Sequence, residues 1–170
     1  MYLHIAGQGD PIAIAKAVHM ALRLSKTPFT PPVPSGVSQP LDLDTNQLDA
    51  ILKTHGTVTN GIYQVSFPRA ETITVDGIEM PPAMGVATAL NFQPTGKARA
   101  AITGDFVLVA REVNPVIRVL RENGIEITAI HSHSLTDEPR LFYLHFWAND
   151  DALTLAHGLR AALDQTNSVP

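Results

Sequence analysis

The feature that most constrains this chain is that its first 22 residues return near its end. At an offset of 141 residues, Tyr2, Leu3, His4, Asp10, Ala15, Ala21 and Leu22 fall on Tyr143, Leu144, His145, Asp151, Ala156, Ala162 and Leu163, seven identities in 22 ungapped positions. Chance pairing at ordinary residue frequencies gives about one or two. Most other pairs agree in class, such as Ile12 with Leu153, Ile14 with Leu155 and Val18 with Leu159. Self-similarity of this kind takes precedence over local signals in deciding architecture. The chain therefore reads as one complete repeat preceded by the strand–helix tail of another copy.

Residues 1–26 are that tail, with Asp10 as N-cap, Pro11 in the first turn, and Ile12, Ala15, Val18, Ala21 and Leu22 as the stripe to be buried. Residues 27–40 hold Pro28, Pro31, Pro32, Pro34 and Pro40, a density that forbids a helix and favours an extended linker. Residues 41–167 form the complete repeat, the whole being expected as one compact globular unit. The strand predicted over 2–6 lacks its natural neighbour, which points to pairing with the sheet of the complete unit or to a homodimer through that strand.

Within the complete repeat, Asp44 and Gln47 suit a capping box before Leu48, Ile51 and Leu52, with Gly56 as the stop. Tyr63, Val65 and Phe67 alternate with polar residues as in a half-buried strand, and Asp76-Gly77 signals a tight hairpin between 73–75 and 78–80. Strands are predicted over 85–92 and 98–109, joined through 94–96. A helix with Asn114-Pro115 in its first turn follows, burying Val116, Val119 and Leu120 and closing at Asn123-Gly124. Strands over 125–133 and 141–148 then precede a last helix capped by Asp150 or Asp151, with Leu153, Leu155, Ala156, Leu159 and Leu163 facing inward. Strands in the middle and helices at the ends predict an α+β fold, an antiparallel or mixed sheet with helices packed on one face.

The balance of charge is acidic, −4 over 170 residues, and the Lys and Arg residues are scattered, which argues against nucleic acid or an anionic membrane as partner. The longest uncharged run, 80–96, carries three prolines and excludes a membrane span. No secretory leader pattern follows Met1. Without cysteine, a metal would have to use His, Asp or Glu.

Chemistry concentrates in 129–147. On a strand, His131 and His133 point to one face about 7 Å apart. An even register sum with the strand at 141–148 brings His145 to that face, and an odd one removes it. Three converging imidazoles are the ligand set of a catalytic zinc or similar divalent ion, with Glu138 in the connecting loop as fourth ligand or general acid–base. That would make the chain a metal-binding domain, of hydrolase or lyase chemistry if it is an enzyme. The other reading keeps the histidines as a hydrogen-bonded, non-enzymatic polar pocket. His4 is the counterpart of His145 in the partial copy. Asp105 and Glu112 could add carboxylates to such a site, against which Gly104-Asp105 reads as a turn before a strand and Glu112 as complementing a helix dipole. His131-x-His133-x4-Glu138 partly matches a cupin metal motif, but the helices speak against an all-β barrel.

Gly104-Asp-Phe-Val-Leu, Glu112-Val-Asn-Pro-Val, Gly124-Ile-Glu-Ile-Thr-Ala, His131-Ser-His133, Glu138-Pro-Arg and His145-Phe-Trp147 together resemble the LppY/LpqO family of bacterial proteins, over nearly all of 41–167. The resemblance implies a domain usually present in two tandem copies, in exported or envelope-associated proteins that include lipoproteins, with no established activity. It therefore also implies a full first copy, of which this sequence carries only the end.

Overall fold

The computed structural model describes Ile5 and residues 7–26, 28–30 and 41–170. The strand expected over 2–6, apart from Ile5, and most of the proline linker lie outside the described residues. The chain divides into two compact units, Met1–Val37 and Ser38–Pro170.

In the first unit, α1 spans Pro11–Leu22, and the Asp10 carboxylate accepts from the backbone N–H groups of Ile12 (2.7 Å) and Ala13 (3.0 Å). Its cap matches expectation, but its burial does not, since no residue of α1 is buried. A single helix is the one regular element among this unit's described residues.

The second unit opens with α2 (Thr45–Leu52), whose Leu48 and Leu52 are fully buried. It ends at Lys53, which takes the left-handed conformation (φ 62°), and not at Gly56. The Asp49 carboxylate instead accepts from the Gly56 N–H and the Tyr63 hydroxyl, tying the helix to the next strand. The strands are β1 (Thr57–Thr59), β2 (Ile62–Pro68), β3 (Thr74–Val75), β4 (Ile78–Glu79), β5 (Ala87–Gly96), β6 (Arg99–Val109), β7 (Glu126–His131), β8 (Asp137–Glu138) and β9 (Leu141–Asp151). A single 3-10 turn, Pro82–Met84, precedes β5. Two further helices, α3 (Ala110–Glu122) and α4 (Ala152–Leu163), follow β6 and β9.

Six strands form one sheet in the order β1-β2-β5-β6-β9-β7, and every pairing in it is antiparallel. A smaller sheet has the order β4-β3-β8. The fold is therefore α+β, as the pattern of elements required. Asp76 and Gly77, both with positive φ, form the expected tight turn between β3 and β4. Between β5 and β6 the turn falls at Lys97-Ala98 (φ 57° at each), later than 94–96.

The helices cover one face. Tyr63, Val65, Phe67, Leu90, Phe92, Ile102, Phe106, Leu108, Leu144 and Phe146 point into a core shared with Leu48, Leu52, Val116, Leu120, Leu155, Leu159 and Leu163. The small sheet covers half of the other face through Ile73, Val86, Val107, Val109, Leu141 and Tyr143. That division places the functional side chains at the border between a covered and an open half.

The helix predicted to begin near Asn114 in fact begins at Ala110, with Pro115 inside it. The early start follows from Glu112, whose carboxylate accepts from the N-cap Val109 N–H (3.0 Å), a donor that a helix start leaves without an intrahelical partner. Glu112 also meets Arg69, whose side chain is 1% exposed. Arg69 donates from Nη1 to the Val107 carbonyl (2.7 Å) and Glu112 (2.8 Å), from Nη2 to Glu112 (3.0 Å) and Glu71 (2.9 Å), and from Nε to Glu71 (3.0 Å). All five guanidinium N–H groups thus have an acceptor. Glu112 further accepts from the Asn167 N–H, so this clasp joins β2, β6, α3 and the C-terminal segment.

Candidate metal centre

The registers decide where the histidines go. In β7–β9 pairing, Ala129 lies opposite His145 and His131 opposite Tyr143, each sum being 274, an even number. His131 and His145 therefore share a face, diagonal to one another. One ligand nitrogen each from His131, His133 and His145 lies within 4.8 Å of the others, and all three rings are half-buried. A tetrahedral ion about 2.1 Å from each nitrogen needs them roughly 3.4 Å apart, a separation that small ring rotations reach from this arrangement.

His133 arrives by a different route from the one expected. Strand β7 ends at His131, so the pleat does not carry His133. Its ring stacks on that of Tyr143, with centroids 3.4 Å apart and planes 7° from parallel. Tyr143 is almost fully buried. Burial first, then the nearby carboxylates of Asp137 and Asp105, push its hydroxyl up to about 12. It is a neutral wall for the site at ordinary pH.

The contacts around the other two rings suit one tautomer, with the hydrogen on Nδ1. Nδ1 of His145 lies 3.3 Å from the Gly104 carbonyl oxygen, and Nδ1 of His131 lies 3.4 Å from that of Ser132. A carbonyl only accepts, so with the hydrogen on each Nδ1 both carbonyls receive a donor and each Nε2 is the lone-pair nitrogen. The two Nε2 atoms face each other at 2.8 Å, with the rings 17° from parallel. In that tautomer the two lone pairs repel unless a positive charge sits between them, whereas a hydrogen on one Nε2 would bond the rings to each other. Backbone carbonyls holding Nδ1–H are also the usual outer support of metal-bound imidazoles.

The carboxylate opposite the histidines on this face is Asp105. It lies directly across from His145 on β6. Burial raises its pKa, with the charges of His145 and His131 acting in the opposite direction. Glu138 is exposed on β8 and pairs with Thr74 in the small sheet, and it does not join the histidine group. Its neighbour Asp137 is the buried one, accepting from the Leu141 N–H at 2.7 Å across the turn at 138–140. Asp105 was read as a turn residue because of Gly104. In the structure β6 runs straight through Gly104, where a Cβ would collide with the Ala89 carbonyl oxygen. The unbroken apolar alternation Ala100, Ile102, Phe106, Leu108 was the sequence signal for a continuous strand.

A family model described as Domain of Unknown Function (DUF1259) matches residues 46–165. The chain belongs to that family. The matched segment starts at α2 and ends just after α4, so in this DUF1259 domain the two sheets, Arg69 with Glu71 and Glu112, and the three histidines all fall inside the family's bounds. No curated protein and no solved structure gives a match.

Proposed function

We propose that this DUF1259 domain binds a divalent metal ion of the zinc class through His131, His133 and His145. The observation that carries the reading is the pair of Nε2 atoms of His131 and His145, 2.8 Å apart with a carbonyl beside each Nδ1. Three neutral imidazoles leave an ion its full charge and a coordination position for water or substrate. Asp105 lies on that face to accept a proton, and hydrolytic or lyase chemistry is what such a set supports. The motifs resembling LppY/LpqO proteins lie within the matched segment, and we place the chain in that branch, with an exported or envelope-associated setting.

One observation favours a second reading, a histidine cluster without metal. The 2.8 Å separation is also the length of an N–H···N bond, which the neutral Nε2–H tautomer of either ring makes. Metal analysis of untagged protein purified without a nickel column separates the two. About one equivalent of divalent metal, lost in the double variant His131→Ala, His133→Ala, is expected. Substoichiometric metal, unchanged in that variant, would establish the proton-sharing cluster instead.

A further inference from the structure

The histidines border an open surface with a chemistry of its own. Across the uncovered half of the second face, Gln64 lies opposite Asn91, Asn91 opposite Thr103, Thr103 opposite Trp147 and Trp147 opposite Glu126. These five residues form one row over five strands, about 19 Å long at a strand spacing of about 4.8 Å. The row next to it holds Asp105 and His145, about 7 Å away along the strands.

Trp147, the chain's single tryptophan, is 46% exposed. It is not the rim of an apolar patch, since its row neighbours are polar. Gln64 donates from Nε2 to Asn91 Oδ1 (2.8 Å), and Asn91 donates from Nδ2 to the Thr103 carbonyl (3.2 Å). Both amides are thereby held in one orientation before any ligand arrives, which lowers the ordering cost of binding.

We propose that this row binds an uncharged polyhydroxylated chain, a carbohydrate polymer, and presents it to the histidine centre. The exposed indole offers a flat apolar face for the C–H side of a sugar ring, and the fixed amides beside it offer donors and acceptors to its hydroxyls. Charge selects against nucleic acid. Glu126 is in the row, Asp105 is one row away, and the cation these five strands place on this face, Arg99, is paired with Asp150 and the Asn149 carbonyl. Phosphates would meet carboxylates where they need Lys or Arg. A peptide strand would add to a sheet edge, and four of the five strands this row crosses, β2, β5, β6 and β9, are already paired on both sides. The open, flat row suits an extended polymer better than an enclosed metabolite. The role as substrate rests on the metal reading, whereas the binding itself does not.

Because Trp147 is the sole tryptophan, its emission reports the row directly. Hexasaccharides of β-1,4-linked glucose and of β-1,4-linked N-acetylglucosamine are titrated into the protein, with and without EDTA. A saturable blue shift with at least one of them, in both conditions, is expected. By calorimetry, Trp147→Ala should abolish the binding and Asn91→Ala weaken it about tenfold, while zinc titration of Trp147→Ala stays as in the wild type. No shift with either sugar overturns the proposal. So does a shift produced by single-stranded oligothymidine alone, or an emission maximum that moves with protein concentration, which would mean a second copy covers the ring. Failure of the metal reading appears separately, as absent zinc binding with sugar binding intact.

Discussion

The molecule holds two constellations of polar side chains out of bulk water, and they are built on opposite rules. Around Arg69, every donor has its acceptor: five hydrogen bonds leave the guanidinium, and the Glu112 carboxylate takes two more from the backbone of Val109 and Asn167. Around His131 and His145, each Nδ1 lies near a carbonyl while the two Nε2 atoms face each other at 2.8 Å. The clasp offsets the burial of its charges by internal pairing, and its reward is a joined fold. On the proposed metal reading, the histidine site takes its positive charge from outside. A closed network signals structure, whereas converging acceptors signal a ligand.

The largest effect expected from breaking this contrast is on the clasp. Glu112→Ala strands a nearly inaccessible guanidinium half-paired and should cost about 3 kcal/mol, read as a lower urea midpoint, with zinc affinity unchanged in the folded fraction. Loss of zinc affinity in that fraction would mean the two regions are coupled. His145→Ala should do the reverse. Zinc affinity falls by at least about a hundredfold (about 2.7 kcal/mol), while the urea midpoint in EDTA holds or rises, because removing one of two opposed lone pairs relieves a repulsion.

Acid should reach the clasp by a smaller step. Burial works to raise the Glu71 carboxyl, but hydrogen bonds from Arg69 and Asn167 outweigh it and hold it at about 2, against an ordinary 4.5. A depressed folded pKa contributes stability that is full above about 4.5 and is lost as pH falls toward about 2. The wild-type urea midpoint should therefore drop across that window, and Glu71→Gln should flatten the drop. Smallest are the carboxylates near the site. Asp105→Asn should weaken zinc by about tenfold, the size of a supporting charge lost beside a metal. Glu138→Ala should leave it unchanged, and a tenfold loss there would return Glu138 to the site.

Much of this was legible in the sequence. Alternation gave β2 and β9, capping residues gave α1, α2 and α4, and the even register that unites His131 with His145 was one of two stated outcomes. What escaped depends on contacts distant in the chain. Helix α3 starts early because Glu112 is claimed by Arg69, 43 residues away. His133 reaches the cluster by stacking on Tyr143, beyond the end of its strand. Asp105 was outweighed as a site carboxylate because Gly104 looks like a turn, when a neighbouring backbone carbonyl is what excludes a side chain there.

The central claim is that His131 and His145 turn unprotonated Nε2 atoms toward one place. Nitrogen-detected NMR of the assigned histidines, in EDTA and after one equivalent of zinc, tests it most directly. The account predicts Nδ1–H tautomers for both rings and zinc-dependent shifts at Nε2 of His131 and His145, accompanied by a change at His133. A proton shared between the two Nε2 atoms that zinc does not displace would contradict it.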